Sequence, residues 1–138
     1  MFAPVRLGET AIEKETLAAD KKSCKRFGPC GVGKEALYLN SYFIDRRFYV
    51  ALSSVRRVFK RVAMSQGGFS GKGAFGSIPY LVVQYDGGKE KQCTFKHEED
   101  VDALLDYLEK VHPEIPRLSA GGEKRMQEKA EQEAARYL

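Results

Sequence analysis

The sequence predicts a mainly-β member of the α+β class: one strongly bent antiparallel sheet, or two packed sheets, closed by a C-terminal amphipathic helix. Three observations predict it. Between Phe27 and Phe95, short apolar and aromatic runs of strand length recur, separated by polar turn residues. Asp86-Gly87-Gly88 joins two of these runs as a hairpin turn, because aspartate and glycine accept positive φ at little cost. After the last run, Glu98 to about Val111 carries Val101, Leu104, Leu105 and Leu108 at helical spacing. Acids crowd its first turn, where the helix dipole favours them.

Taken in order, residues 9–24 predict a short helix. Thr10-Ala-Ile-Glu13 reads as a capping box, in which hydroxyl and carboxylate satisfy the first free amides. Ile12, Leu17 and a few alanines are its whole apolar stripe, so weak packing is expected, and Gly28-Pro29 breaks the segment. Ala36–Asn40, Tyr42–Asp45 and Phe48–Leu52 are strand-like runs around the breaks at Asn40-Ser41 and Asp45-Arg46-Arg47. Val55, Val58, Phe59 and Val62 fit a helical period, but the same stretch alternates as a strand with one amphipathic face. Its β-branched residues and the lack of a good cap favour strand from about Arg57. Ile78–Gln84 is the clearest strand, with Pro79 where a strand begins, and Glu90–Phe95 returns as its partner. Pro113 and Pro116 end the main helix. Glu123–Leu138 is a highly charged helical pattern whose apolar residues are chiefly Met126, Ala130, Ala134 and Leu138, so it frays unless a partner covers it. The organisation expected is an N-terminal helical extension (1–26), a central domain (27–116) and a charged helical tail (117–138).

At 138 residues, with 43% apolar and 30% charged residues, the chain is long enough to bury one core without disulfides or metal. Cys24, Cys30 and Cys93 form no C-x-x-C pair, and His97 and His112 have no ligand spacing to them, so neither a zinc site nor a cofactor is expected. Free thiols suit a reducing cytoplasm. No window has the length and apolarity of a signal-peptide core or a membrane span. The expectation is a cytoplasmic chain with no transmembrane segment.

The net charge of +4 decides little, but its distribution is uneven. Lys34 to Lys72 holds eight basic residues against two acids, whereas His97 to Glu114 holds seven acids against one lysine. The candidate anion- or partner-binding residues are therefore Arg46, Arg47, Arg56, Arg57, Lys60, Arg61 and Lys72. Cations on a strand near Tyr42, Phe48 and Tyr49 suit phosphates and stacked bases, and equally suit a solvated face that discourages edge aggregation. The two oppositely charged regions also suit mutual neutralisation, within one molecule or between copies.

Gly71-Lys-Gly-Ala-Phe-Gly76 is a literal G-x-G-x-x-G. A dinucleotide site needs these glycines to open a helix, and here a strand follows. A kinase reading lacks the downstream lysine strand and catalytic loop, and a Walker loop fails at Gln66. A loop at a hairpin tip, with glycines supplying unusual backbone angles, is the better reading. No nucleophile–histidine arrangement stands out, so a catalytic role is not expected.

Ala36-Leu-Tyr-Leu, Phe48-Tyr-Val-Ala-Leu-Ser-Ser-Val-Arg-Arg-Val, Tyr80-Leu-Val-Val-Gln-Tyr and Phe95-Lys-His-Glu-Glu-Asp-Val-Asp-Ala-Leu-Leu-Asp-Tyr-Leu follow one another as strands and then a helix. In that order they resemble uncharacterised bacterial domains of the pleckstrin-homology-like (PH-like) superfold. The resemblance implies a barrel-like sheet plugged by the C-terminal helix. It also implies a non-catalytic binding or assembly module, contacting protein or a second copy through a sheet edge or the groove beside the helix. Phosphoinositide-binding members place a lysine and a basic-x-arginine pattern in the first hairpin; Lys34 and Arg46-Arg47 do not match that spacing. Binding of RNA, DNA or an anionic membrane surface through the basic strand is the alternative.

Overall fold

The computed structural model describes residues 4–64, 77–118 and 120–136. It is a mixed α+β fold with two open sheets, in which helix and strand contribute comparable shares. The first sheet has the order β1 (Val5–Leu7), β5 (Phe48–Ala51), β4 (Ala36–Leu39), β3 (Cys30–Val32), β2 (Lys25–Phe27). Strands β2 to β5 form an antiparallel meander, and β1 adds in parallel to β5 with Val5 opposite Phe48. The second sheet is the antiparallel trio β6 (Val55–Met64), β7 (Ser77–Tyr85) and β8 (Lys89–Thr94).

The chain passes from one sheet to the other through a single 3-10 turn, Leu52–Ser54, between β5 and β6. Two further backbone bonds stitch the sheets: Asp86 N–H donates to Ser54 O (3.0 Å) and Tyr42 N–H to Thr94 O (2.9 Å). They do not close the sheets into a barrel. The β7–β8 turn is the one the sequence predicts, with positive φ at Asp86 (53°) and Gly87 (123°). The β6 segment is strand throughout. Its pairing with β7, from Val58 opposite Val83 to Met64 opposite Ser77, overrides the helical spacing of its apolar residues.

Helix α2 (Glu98–Val111) matches its expected bounds and buries Val101, Leu104 and Leu108, with Leu105 half-buried. These pack with Leu37, Leu39, Val50, Val58, Leu81, Val83 and Phe95 into the main core between the sheets and the helix. Fully burying each such side chain stabilises by about 1.5–3 kcal/mol. All four residues of β4 are buried because the first sheet is covered on both faces. Leu37 and Leu39 point to the main core, while Ala36 and Tyr38 point to a second cluster with Leu17 and Tyr49.

That second cluster is built on α1 (Lys14–Ser23). Residues 4–26 supply β1, the start of β2 and the helix that covers the first sheet. The capping box does not form. Glu13 is the N-cap and makes no side-chain capping bond, and Thr10 Oγ1 instead accepts from Ser54 Oγ (2.9 Å), tying the N-terminal segment to the 3-10 turn.

Asp20 of α1 is buried and accepts three hydrogen bonds. They come from the Lys34 N–H (2.7 Å), the Glu35 N–H (3.2 Å) and the Tyr38 hydroxyl (2.7 Å). The carboxylate thus holds the β3–β4 turn to the helix, as a side chain standing in for backbone acceptors. Burial, and then the Asp20 carboxylate it faces, push the Tyr38 hydroxyl far above the ordinary tyrosine range, so it stays a donor.

Past α2, His112 N–H closes the last turn on Leu108 O (2.7 Å), and Pro116 O accepts the Val58 N–H (2.9 Å). The charged tail forms α3 (Ala120–Arg136), and Gln127 to Glu133, nearly two turns, are exposed on every face. Among the described residues, no helix is long and apolar enough to cross a membrane. The glycine loop from Gly71 to Gly76 and its Lys72 lie outside the described residues.

Candidate interaction surface

The cations singled out by sequence do not form one patch. Period-two alternation divides those on β6 between opposite faces of the second sheet. Arg57 and Arg61 share a face with Phe59, while Lys60 shares the other with Val58 and Val62. Arg56 is exposed and falls at the register shift between Val55 and Arg57. Arg46 and Arg47 belong to the separate β4–β5 loop.

Several of these cations have partners within the molecule. Lys60 Nζ donates to Glu98 Oε2 and to Asp102 Oδ1, both at 2.9 Å, bridging β6 to the first two turns of α2. Arg61 Nη1 meets Glu90 Oε2 at 3.3 Å, and its guanidinium lies 5.6 Å from the Phe59 ring centroid. Arg57 Nη1 donates to Leu118 O (2.9 Å). Gln92 and Gln84, followed by Arg61, hold the Glu90 carboxyl below its ordinary range. At Lys60, the basic strand and acidic helix neutralise one another inside one copy.

The bond to Asp102, followed by that to Glu98, raises the Lys60 pKa above its ordinary 10.5. A raised folded-state pKa gives stability fully present below the unfolded value and lost as pH climbs through the folded one. Lys60→Ala is therefore expected to lower stability at neutral pH by no more than about 1 kcal/mol, less in high salt, since the pair is partly exposed. Urea melts at two salt concentrations check this, and the difference between variant and parent should fade only above about pH 10.5.

Among the described residues, the outer edge of β6 is covered only at its start. Val58 N–H is taken by Pro116 O, so by strand alternation the amides of Lys60 and Val62 also point outward. Among the described residues neither has a backbone partner on that side. Val62 is 39% exposed. This is a strand edge able to accept another strand. The opposite edge, β8, is polar from Lys89 to Gln92 and has its end tied by Tyr42.

A cleft of about 330 Å³ beside α2 is lined by Ser23, Lys34, Tyr107 and His112. The histidine ring is engaged structurally, with Nε2 3.1 Å from Gly33 O and Nδ1 3.7 Å from Glu114 Oε1. Cys30 and Cys93 lie in the core, where burial pushes the Cys30 thiol up and away from the reactive thiolate. No group of three or more His, Cys, Asp or Glu side chains suited to a metal occurs among the described residues.

Sequence reading missed one surface. Tyr42-Phe43-Ile44 reads as a strand, yet it is an exposed turn between β4 and β5. The signal was present in the flanking turn residues, Asn40-Ser41 and Asp45, which organise the loop through hydrogen bonds. Comparisons with protein-family models, curated proteins and solved structures give no match.

Proposed function

We propose that this chain is a non-catalytic binding and assembly module of PH-like character, engaging an extended segment of a protein partner or of a second copy along the outer edge of β6. The observation that carries the reading is the pair of outward amides at Lys60 and Val62, beside an edge whose first bond the chain itself fills with Pro116. Main-chain pairing there would continue the second sheet, with Val62 as an apolar contact and the exposed Arg56 favouring acidic residues in the added strand. The PH-like character is supported by the bent β5–β6 path and by α2 filling the space between the sheets. Occupation of Lys60 and Arg61 by acids of the same chain favours protein binding over recognition of nucleic-acid phosphates.

Val62→Pro removes one outward N–H and places a ring on the edge. Its expected result is loss of concentration-dependent oligomers in light scattering, or loss of proteins retained from nuclease-treated lysate, with the circular dichroism spectrum retained. Retention that disappears with nuclease, or is undiminished in the folded variant, counts against the reading.

A further inference from the structure

The loop joining β4 to β5 is a hydrogen-bonded turn with an exposed apolar apex. Tyr42, Phe43 and Ile44 are 49%, 68% and 59% exposed, three consecutive large apolar side chains turned to solvent. The surrounding bonds give the loop a fixed geometry. Asn40 Oδ1 accepts from the Ser41 N–H (2.8 Å) and the Arg46 N–H (2.9 Å), while its Nδ2 donates to Asp45 Oδ1 (2.8 Å). Tyr42 N–H is anchored on Thr94 O, Arg47 O accepts from the Val5 N–H (2.9 Å), and the Tyr42 and Phe43 rings meet edge-on at 4.9 Å. Side chains that could have folded back onto the sheets are instead presented by a braced turn.

Cations flank that apex and the base of its loop. Arg46 and Arg47 follow it in sequence, Lys96 Nζ lies 5.7 Å from the Tyr42 ring centroid, and Lys91 Nζ lies 4.5 Å from the Phe48 ring centroid. Lys21 and Arg26 line the small cleft beside Asn40, Arg47 and Phe48. The acid within the loop, Asp45, is engaged by Asn40 and by Arg47 at 3.6 Å. An apolar tip flanked by cations matches the chemistry of an anionic bilayer surface, with aromatic and aliphatic groups at the acyl boundary and basic groups among the headgroups. The edge-on ring pair and the aliphatic Ile44 are ill-suited to stacking bases, and an exposed tip needs no preformed pocket in a deformable bilayer.

We propose that the β4–β5 loop docks this chain reversibly on anionic phospholipid membranes, inserting Phe43 and Ile44 while Arg46, Arg47 and Lys96 contact headgroups. The site is distinct from the β6 edge, so either can fail without the other.

The chain has no tryptophan, so Phe43→Trp places a single reporter at the apex. With full-length protein and vesicles containing about 30% phosphatidylserine in phosphatidylcholine, the emission of Phe43→Trp should move to the blue and the protein should sediment with the vesicles. Pure phosphatidylcholine vesicles should give neither result. Phe43→Ser with Ile44→Ser should reduce the bound fraction of otherwise wild-type chain by about tenfold. Arg46→Glu with Arg47→Glu should reduce it by about a hundredfold at low salt. Since these residues are exposed, unchanged circular dichroism separates lost docking from lost folding. An unshifted emission with anionic vesicles, equal binding to both vesicle types, or binding undiminished in the serine variant overturns the proposal. So does a shift produced by inorganic phosphate, RNA or a soluble protein without vesicles.

Discussion

Asp20→Ala should destabilise the fold by about 3 kcal/mol, lowering the melting temperature by roughly 10 °C. The substitution strips the acceptor from the Lys34 and Glu35 amides and from the Tyr38 hydroxyl, and leaves the buried ones unsatisfied. It also unfastens α1 from the sheet it covers, exposing Tyr38 and Tyr49 of the second cluster. Gly33 provides an independent check. A Cβ at that position would collide with the Asp20 carboxylate, so Gly33→Ala alone should be costly. In the Asp20→Ala background much of that cost should vanish, giving a large non-additive term in a double-mutant cycle. Thermal melts of the four proteins measure it. Strict additivity, or a loss under about 1 kcal/mol for Asp20→Ala, would show that Asp20 does not hold the β3–β4 turn to α1.

Phe95→Ala is expected to cost about 4 kcal/mol, enough to leave a marginal domain largely unfolded at physiological temperature. Phe95 is 1% exposed and sits where β8 hands over to α2, packed with the α2 stripe and both sheets. Its backbone amide is bonded to Pro79 O (2.9 Å), which limits how far the site can relax. The ring also lies 3.1 Å from where a Cβ on Gly28 would stand, so the β2–β3 turn closes on it directly. Urea unfolding should show a lower midpoint with an unchanged slope. The half-buried Leu105→Ala serves as a contrast and should cost about 1 kcal/mol. Similar losses for the two would mean that α2 does not seat its Val101, Leu104 and Leu108 face as described.

The elements legible in the sequence are those specified by local chemistry. Helix α2 announces itself through an acidic first turn and a leucine stripe, and the β7–β8 hairpin through Asp86-Gly87-Gly88. Legibility ends where a residue's role depends on distant partners. Asp20 looks like one more charge on a weakly amphipathic helix, because its amide partners lie 14 and 15 residues away and its tyrosine 18. Thr10 and Glu13 have the spacing of a capping box, but a hydroxyl 44 residues distant claims the threonine. The parallel pairing of β1 with β5 has no local signature at all.

The candidate surface was legible in composition but not in geometry. The basic run on β6 is visible, yet strand alternation sends Lys60 toward the acids of α2 and Arg61 to the opposite face. Tyr42-Phe43-Ile44 has the residue types of a buried strand. Asn40 turns it outward through contacts that strand propensity does not encode.

Amide hydrogen exchange at Lys60 and Val62 tests the central claim most directly. In dilute full-length protein both amides should exchange quickly while Val58, bonded to Pro116, is protected. In the oligomer, or in complex with a purified captured partner, Lys60 and Val62 should become protected together. Fast exchange at both positions in the bound state, with protection arising elsewhere, would show that β6 is not the edge through which this chain assembles.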